Sequence, residues 1–232
     1  MLSVEKLNQY YGESHTLWDL DLEVPEGECT VIMGRNGVGK TTLLQAIMGL
    51  LPIRSGSIQY RGDDISKVIA EKRAGMGIGY VPQGRQIFPL LTVQENLEIG
   101  LPVRKDKKVP EFIFELFPVL REMLGRRGGD LSGGQQQQLA IGRALASGPR
   151  LLILDEPTRG VDVGAREEMF TIIGSLVESG MAVLLISSDL SEVVGMSHRI
   201  AVFRDGRVLK VAPAESVSLQ RIMEQLTGAE TA

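Results

Sequence analysis

The 232-residue sequence contains few cysteines and histidines. With a single cysteine, Cys29, no disulfide can form within the chain, and the composition fits a reducing compartment. Cys29 begins a short apolar run, so we expect a buried strand residue there and no catalytic role. The only two histidines, His15 and His198, are expected to be structural or exposed.

Excess positive charge and long apolar runs are also absent. The net charge of -4 and the pI near 5.4 argue against a nucleic-acid scaffold. The longest apolar runs, such as "AVLLI" at 182–186, fall far short of the ~20 residues that span a bilayer. The first residues show no targeting segment, because charges interrupt them and no apolar core follows. Any association with a membrane is therefore expected to go through a partner.

The hydrophobic pattern predicts an α/β protein with an inserted helical block. Short apolar or alternating runs predict strands, and runs with helical spacing predict helices. The predicted strands are 17–24, 29–33, 78–81, 151–155 and 182–186, with a hairpin at 199–211. The predicted helices are 41–50 and 163–177, and helical patterns without strand signals fill a block at about 91–148.

A glycine-rich loop follows the predicted strand at 29–33 and opens the next helix. The stretch "GRNGVGKT" at 34–41 fits the pattern G-x-x-x-x-G-K-[ST] in the strand–loop–helix context that the pattern requires. Backbone N–H groups of such a loop surround phosphates. Lys40 is expected to reach the β and γ phosphates, and Thr41 to bind Mg²⁺ through its hydroxyl.

Two carboxylates follow the buried strand "LLILD". Asp155 at the strand end can hold a metal ion, and Glu156 can orient and deprotonate an attacking water. Alone, such a pair is more often a helix cap, but the glycine loop favours the functional interpretation.

The stretch "DLSGGQ" at 130–135 predicts a helix that begins with a capping box, because Ser132 lies three residues before Gln135. Two glycines in the first turn leave backbone N–H groups accessible to an anion. An ordinary capped helix is the alternative interpretation of this stretch taken alone.

Together with "YVPQG" at 80–84, these motifs resemble the ATP-binding cassette (ABC) family, and the resemblance covers nearly the whole chain. It implies a P-loop NTPase of the ABC type, with a mixed sheet core, an N-terminal antiparallel β subdomain and an inserted helical subdomain at about 91–148. The chain 1–232 would then be a single ATPase domain that uses ATP and Mg²⁺. Two such cassettes pair head to tail, so that one chain carries half of each of two sites.

The resemblance also assigns roles to individual residues. It assigns catalysis to Glu156, Ser188 and Lys40. It assigns metal binding to Thr41, Gln83 and Asp155. Nucleotide binding falls to Tyr11, which stacks on adenine, and to Gly34, Arg35, Asn36, Gly37, Val38, Gly39, Lys40, Thr41, Thr42 and Gln83. The residues acting on the partner's nucleotide are Leu131, Ser132, Gly133, Gly134, Gln135 and Asp162. An exposed structural tyrosine is the alternative for Tyr11, and a helix cap is the alternative for Asp162.

One position departs from the family pattern. Many cassettes have a histidine after the strand that follows the acidic pair, and this chain has Ser188 there. A serine can donate a hydrogen bond to phosphate or water but carries no positive charge. Hydrolysis is therefore expected to be slower, or Glu156 to be sufficient.

The finer resemblance divides near Thr158. The part before it, with "GRNGVGKTTLL" and "YVPQGRQIFPLLTVQENL", is similar to the ATPase subunits of urea importers in the branched-chain amino-acid transporter group. The part after it, with "TRGVDVGAREEMF" and "LLISSDLSEVVGMSHRIAV", is similar to the second cassette of ribose-type sugar importers. This pattern suggests a mosaic: a natural recombinant, an engineered chimera or a generated sequence.

The leading hypothesis for function is an ATPase subunit that powers an importer of urea, amides or branched-chain amino acids. Its partners would be a second cassette, transmembrane permease subunits and, indirectly, a substrate-binding protein, at the cytoplasmic face of the membrane. The alternatives are a sugar-importer ATPase, a soluble cassette in nucleic-acid or ribosome work, and a cassette that binds ATP with little turnover.

Overall fold

The computed structural model describes residues 1–101, 108–189 and 195–216. Its strands are β1 (Leu2–Tyr11), β2 (Ser14–Val24), β3 (Cys29–Met33), β4 (Ser55–Tyr60), β5 (Asp63–Asp64), β6 (Ile78–Val81), β7 (Leu151–Asp155), β8 (Ala182–Ile186), β9 (Arg199–Arg204) and β10 (Arg207–Pro213). Its α-helices are α1 (Lys40–Ile47), α2 (Ala70–Gly75), α3 (Val93–Ile99), α4 (Glu111–Leu116), α5 (Pro118–Glu122), α6 (Gly133–Leu145) and α7 (Val163–Glu178).

The central sheet has the strand order β10-β9-β3-β8-β7-β6, and all of its neighbouring pairs except β10–β9 are parallel. Every residue of β3, β7 and β8 is buried, which explains why these strands are continuous apolar runs in the sequence. The strands predicted for this sheet are confirmed. Because they are parallel, the glycine loop after β3 and the carboxylates after β7 emerge at the same sheet edge.

A second sheet, in the order β2-β1-β4-β5, is antiparallel. Its apolar face packs with α1 and one face of the central sheet in a single core that includes Leu22, Ile32 and Leu43. The mixed core with an N-terminal antiparallel sheet is therefore confirmed. The individual strands β1 and β4 and the helix α2 were not predicted.

The predicted helical block contains α3 to α6, which pack on the other face of the central sheet through residues such as Leu97, Ile113 and Leu139. Residues 102–107 of this block lie outside the described residues, as do 190–194 and 217–232. Across the described ranges, no helix combines the length and apolar character needed to cross a membrane.

Candidate nucleotide site

The glycine loop connects β3 to α1 in a conformation that depends on its glycines. Gly37 and Gly39 have φ values of 83° and 110°, in the left-handed region that is unfavourable for residues with a side chain. Gly39 is also the N-cap of α1 and makes no side-chain cap bond. The first amides of α1 are therefore free of a competing side-chain acceptor at the end where a helix attracts anions.

The hairpin turn between β9 and β10 supports this loop. Asp205 and Gly206 connect β9 to β10, and both have positive φ values, as a type I′ turn requires. Gly206 N donates to Val38 O at 3.1 Å, and Trp18 N donates to Gly206 O at 3.0 Å. A Cβ atom at Gly206 would lie 2.1 Å from Thr16 O, so the turn fits only as glycine.

Lys40 is buried at the start of α1. Its Nζ donates to Gly34 O at 2.6 Å and to Arg35 O at 2.9 Å. Burial lowers the pKa of Lys40, and the nearby Glu156 and Asp155 partly oppose this change. The ammonium is thus held by two carbonyl groups of the loop, beside the nucleotide cavity that Lys40 lines.

Asp155 and Thr41 form the part of the site that suits a divalent cation. Thr41 Oγ1 donates to Asp155 Oδ2 at 2.9 Å, while Asp155 Oδ1 is buried and has no hydrogen-bond partner. Burial raises the pKa of Asp155, although the bond from Thr41 acts in the opposite direction. An unpartnered carboxylate oxygen beside a hydroxyl is an oxygen donor set that fits Mg²⁺.

Glu156 takes an unusual backbone conformation and is held by Ser188. Its φ is 50°, in the left-handed region that is uncommon for a residue with a side chain. Ser188 Oγ donates to Glu156 Oε2 at 2.9 Å, and Ser188 N donates to the same oxygen at 3.3 Å. The serine at the family's histidine position thus contacts the carboxylate that was predicted to activate water.

These groups surround a cavity of about 600 Å³. The predicted site residues that line it are Tyr11, Asn36, Gly37, Gly39, Lys40, Thr41, Thr42, Gln83, Asp155 and Glu156. Sequence reasoning missed three further lining residues, Thr16, Arg159 and Ile186. The sequence contains a signal only for Arg159, a positively charged residue three positions after Glu156. Thr16 lines the cavity from β2, and no local sequence pattern indicates this.

The residues predicted to act on a partner's nucleotide are not among those lining this cavity. Ser132 and Gln135 form the predicted capping box at the start of α6, with bonds of 3.3 and 3.0 Å. Asp162 caps α7 by accepting a bond from Ala165 N at 3.0 Å. The cap interpretation of Asp162 is therefore correct, and its role toward a partner stays a prediction.

Both histidines have contacts within the fold. His198 Nδ1 accepts a bond from Cys29 N at 3.2 Å, and Cys29 itself is fully buried in β3, as expected. His15 is stacked between the rings of Tyr10 and Trp18, with centroid distances of 4.0 and 3.5 Å. Their expected structural character agrees with these positions.

Comparison with known proteins identifies the class that this fold and site define. Residues 17–159 match the family described as "ABC transporter", and the chain belongs to that family. It is an ATPase of the ABC type.

Two curated relatives align with most of the chain. The high-affinity branched-chain amino acid transport ATP-binding protein BraG of Pseudomonas aeruginosa is 39% identical over 212 residues, which cover 90% of this chain and 91% of BraG. A putative ribose/galactose/methyl galactoside import ATP-binding protein of Agrobacterium fabrum is 40% identical over 92% of this chain but only 46% of its own length. Each alignment extends across the position of the suspected join, so a mosaic with a boundary near Thr158 is not supported.

Solved structures show the same architecture. A nucleotide-free ATP-binding cassette from an ABC transporter has a TM-score of 0.84 at 27% identity, covering 98% of this chain and 95% of its own. A dimeric ATP-binding cassette in a post-hydrolysis state, bound to ADP and Pi, also has a TM-score of 0.84, at 26% identity, covering 94% of this chain and 100% of its own.

Proposed function

We propose that this chain is the ATP-hydrolysing subunit of an importer, and that its single ATPase domain binds Mg-ATP in the cavity between the glycine loop and Glu156. One observation carries the proposal: Lys40, the Thr41–Asp155 pair and the Ser188-bound Glu156 all border that cavity or contact a residue that does. Phosphoanhydride hydrolysis needs a positively charged side chain at the phosphates, oxygen ligands for a metal ion and a carboxylate held in place to activate water.

The glycine loop and Lys40 bind the phosphates of ATP. Backbone N–H groups from Gly34 to Thr42 surround the phosphates, and Lys40 exchanges its bonds to loop carbonyls for bonds to the β and γ phosphates. Tyr11, whose side chain is 49% exposed and borders the cavity, provides a ring on which adenine stacks.

Thr41 and Asp155 hold Mg²⁺, with Gln83 as a further oxygen donor at the cavity wall. When bound, the ion neutralises charge on the β and γ phosphates. The buried, unpartnered oxygen of Asp155 supports this assignment.

Glu156 orients the attacking water and accepts its proton. Ser188 acts through Glu156, because its hydroxyl and its backbone N–H both donate to one carboxylate oxygen and leave the other available to water. In this chain the missing histidine is therefore replaced by a residue that holds the base.

The site is completed by a second cassette paired head to tail. Leu131, Ser132, Gly133, Gly134 and Gln135 at the start of α6, together with Asp162, contact the nucleotide held by the partner chain. The dimeric relative bound to ADP and Pi supports this arrangement. Transmembrane permease subunits at the cytoplasmic face of the membrane, served by a substrate-binding protein, are the partners that the pair drives.

The transported substrate is proposed from the relatives and the sequence motifs. BraG favours branched-chain amino acids, and the sugar-importer relative makes a sugar the second candidate. Urea and amides are candidates from the sequence motifs alone. Purification of the tagged chain from membranes of its host identifies the permease and decides between them.

The proposed ATPase mechanism is tested with Glu156→Gln. This variant is expected to bind ATP without turning it over, so that nucleotide is trapped between two chains. Sedimentation at high protein concentration should show a dimer with Mg-ATP and a monomer without it. A dimer fraction that does not respond to ATP contradicts the role given to Ser132 and Gly134.

A further inference from the structure

Arg85 joins three segments of the chain, two of which carry residues that line the nucleotide cavity. It lies in the loop after β6, which contains Gln83. Its Nη1 donates to Gln136 Oε1 in the first turns of α6 at 3.2 Å. Its Nη2 donates to Gly160 O, in the turn between β7 and α7, at 3.0 Å. One guanidinium therefore bonds to both of the other segments.

The space around the guanidinium is bounded by two glycines. A Cβ atom at Gly133 would lie 3.1 Å from Arg85 Nη2 and 3.4 Å from Gly160 O. A Cβ atom at Gly160, where φ is 69°, would lie 3.7 Å from the same nitrogen. The guanidinium is thus packed tightly against Gly133, while Gly160 requires glycine because of its positive φ.

The backbone at Arg85 is held in a conformation that needs support. Gly84, Arg85 and Gln86 have φ values of 80°, 70° and 47°, three successive left-handed residues. Two of these residues have side chains, for which the left-handed region is unfavourable unless surrounding contacts maintain it. The side-chain bonds of Arg85 support this backbone at Arg85 itself. Arg143 Nη2 supports the next residue by donating to Gln86 O at 2.9 Å.

The three joined segments each carry a residue of the site. Gln83 borders the nucleotide cavity two residues before Arg85, and Arg159 borders it one residue before Gly160. Ser132 at the start of α6 is proposed to contact the partner's nucleotide. The bonds of Arg85 therefore connect the segment that contains Gln83 both to α6 and to the turn after β7.

We infer that Arg85 is a positioning residue that couples nucleotide binding at Gln83 to the orientation of the Ser132 helix start and the Asp162 turn for pairing with a second cassette. This inference rests on the head-to-tail pairing in the proposed function. It predicts that loss of Arg85 leaves ATP binding by the single chain intact and weakens the ATP-dependent dimer.

The test uses Arg85→Gln in the Glu156→Gln background. ATP affinity of the monomer is measured at low protein concentration, and the dimer dissociation constant is measured by sedimentation with Mg-ATP. We expect unchanged monomer affinity and a dimer weakened by about tenfold or more, the scale of one lost hydrogen bond to a charged group. Arg85→Lys should not restore the dimer, because a lysine cannot reproduce the two-pronged donor geometry.

Arg121→Gln is the matched control. It removes one arginine charge from α5, where the side chain is half-exposed and pairs with Glu111, and it should leave both constants unchanged. Gln136→Met removes an acceptor of Arg85 without changing the loop, and should weaken the dimer in the same direction. Because it also removes the 3.2 Å bond from Gln136 Nε2 to Gly128 O, the double variant with Arg85→Gln should weaken the dimer by less than the sum of the two single effects. If Arg85→Gln does not fold, Gln136→Met alone carries the test.

The outcomes separate the inference from the function on which it rests. A Glu156→Gln chain that fails to dimerise with ATP overturns the head-to-tail pairing and the inference with it. If Glu156→Gln dimerises, and Arg85→Gln in that background dimerises equally well, only the inference is overturned. A loss of monomer ATP affinity equal to the loss of dimer affinity also overturns it, because Arg85 would then act on nucleotide binding alone.

Discussion

Replacing Ser188 with alanine tests how much Glu156 depends on the residue that holds it. The substitution removes the 2.9 Å bond from Ser188 Oγ to Glu156 Oε2 and keeps the 3.3 Å bond from Ser188 N. A hydrogen bond to a charged group contributes about 1.5–3 kcal/mol, and the remaining N–H donor places the loss near the lower value. Because 1.4 kcal/mol corresponds to tenfold in rate, a loss of about 1.5 kcal/mol predicts that ATP turnover falls by about tenfold.

The assay is steady-state phosphate release at saturating ATP with Mg²⁺, with Glu156→Gln as the blank. Ser179→Ala is the matched control, since Ser179 also donates its hydroxyl within the fold, to Leu176 O, but at the far end of α7. A Ser188→Ala rate as low as the blank would mean that Ser188 is essential to the chemistry. A rate equal to that of the unchanged chain would mean that the serine does not position Glu156. Either result refutes the reasoning.

Three further predictions concern Lys40, Arg73 and Asp155. Lys40→Ala should weaken Mg-ATP binding in calorimetry by roughly a hundredfold, the scale of losing charge-assisted bonds to two phosphates, while the melting temperature is kept; unchanged affinity would remove the glycine loop from the mechanism. Arg73→Met should destabilise the fold by about 2–4 kcal/mol in urea unfolding, because this fully buried guanidinium donates to four carbonyls, including Ala46 O and Ile47 O at the end of α1. The exposed Arg121→Met should stay within about 0.5 kcal/mol. The pKa of Asp155 is raised in the folded chain, so its contribution to stability is favourable at low pH and is lost as the pH rises through that pKa. Asp155→Asn should therefore raise the melting temperature at neutral pH and abolish hydrolysis. A lower melting temperature at neutral pH would contradict the expected direction of the stability change.

The central strands could be predicted because their burial leaves a direct trace in the sequence. The residues of β3, β7 and β8 are all buried, and each strand is an unbroken apolar run next to a motif. The strand β1 leaves no such trace. Its register with β2 shifts between Val4 and Leu7 and again beyond Leu7, and Lys6 takes a φ of 47°. These bulges break the period of two on which strand prediction depends.

That the glycine loop and the acidic pair line one cavity could be predicted for a similar reason, since both motifs have fixed local spacing next to parallel strands. The contacts of Arg85, Arg73 and Ser188 could not be predicted from the sequence. Arg85 bonds to residues 51 and 75 positions away, and Ser188 to one 32 positions away. Such contacts depend on the packing of distant segments, which no local pattern encodes.

The strand order of the central sheet also determines when the phosphate loop can become supported during synthesis. The strand β3 lies between β8 and β9, both of which follow it by about 150 residues or more. Gly206, whose amide bonds to Val38, comes later still. While the ribosome synthesises the helical block, β3 has neither of its neighbouring strands and the glycine loop lacks its contact with the hairpin. The nascent chain therefore cannot complete its nucleotide site until β8, β9 and β10 have emerged. The glycine loop itself is synthesised much earlier, before residue 42.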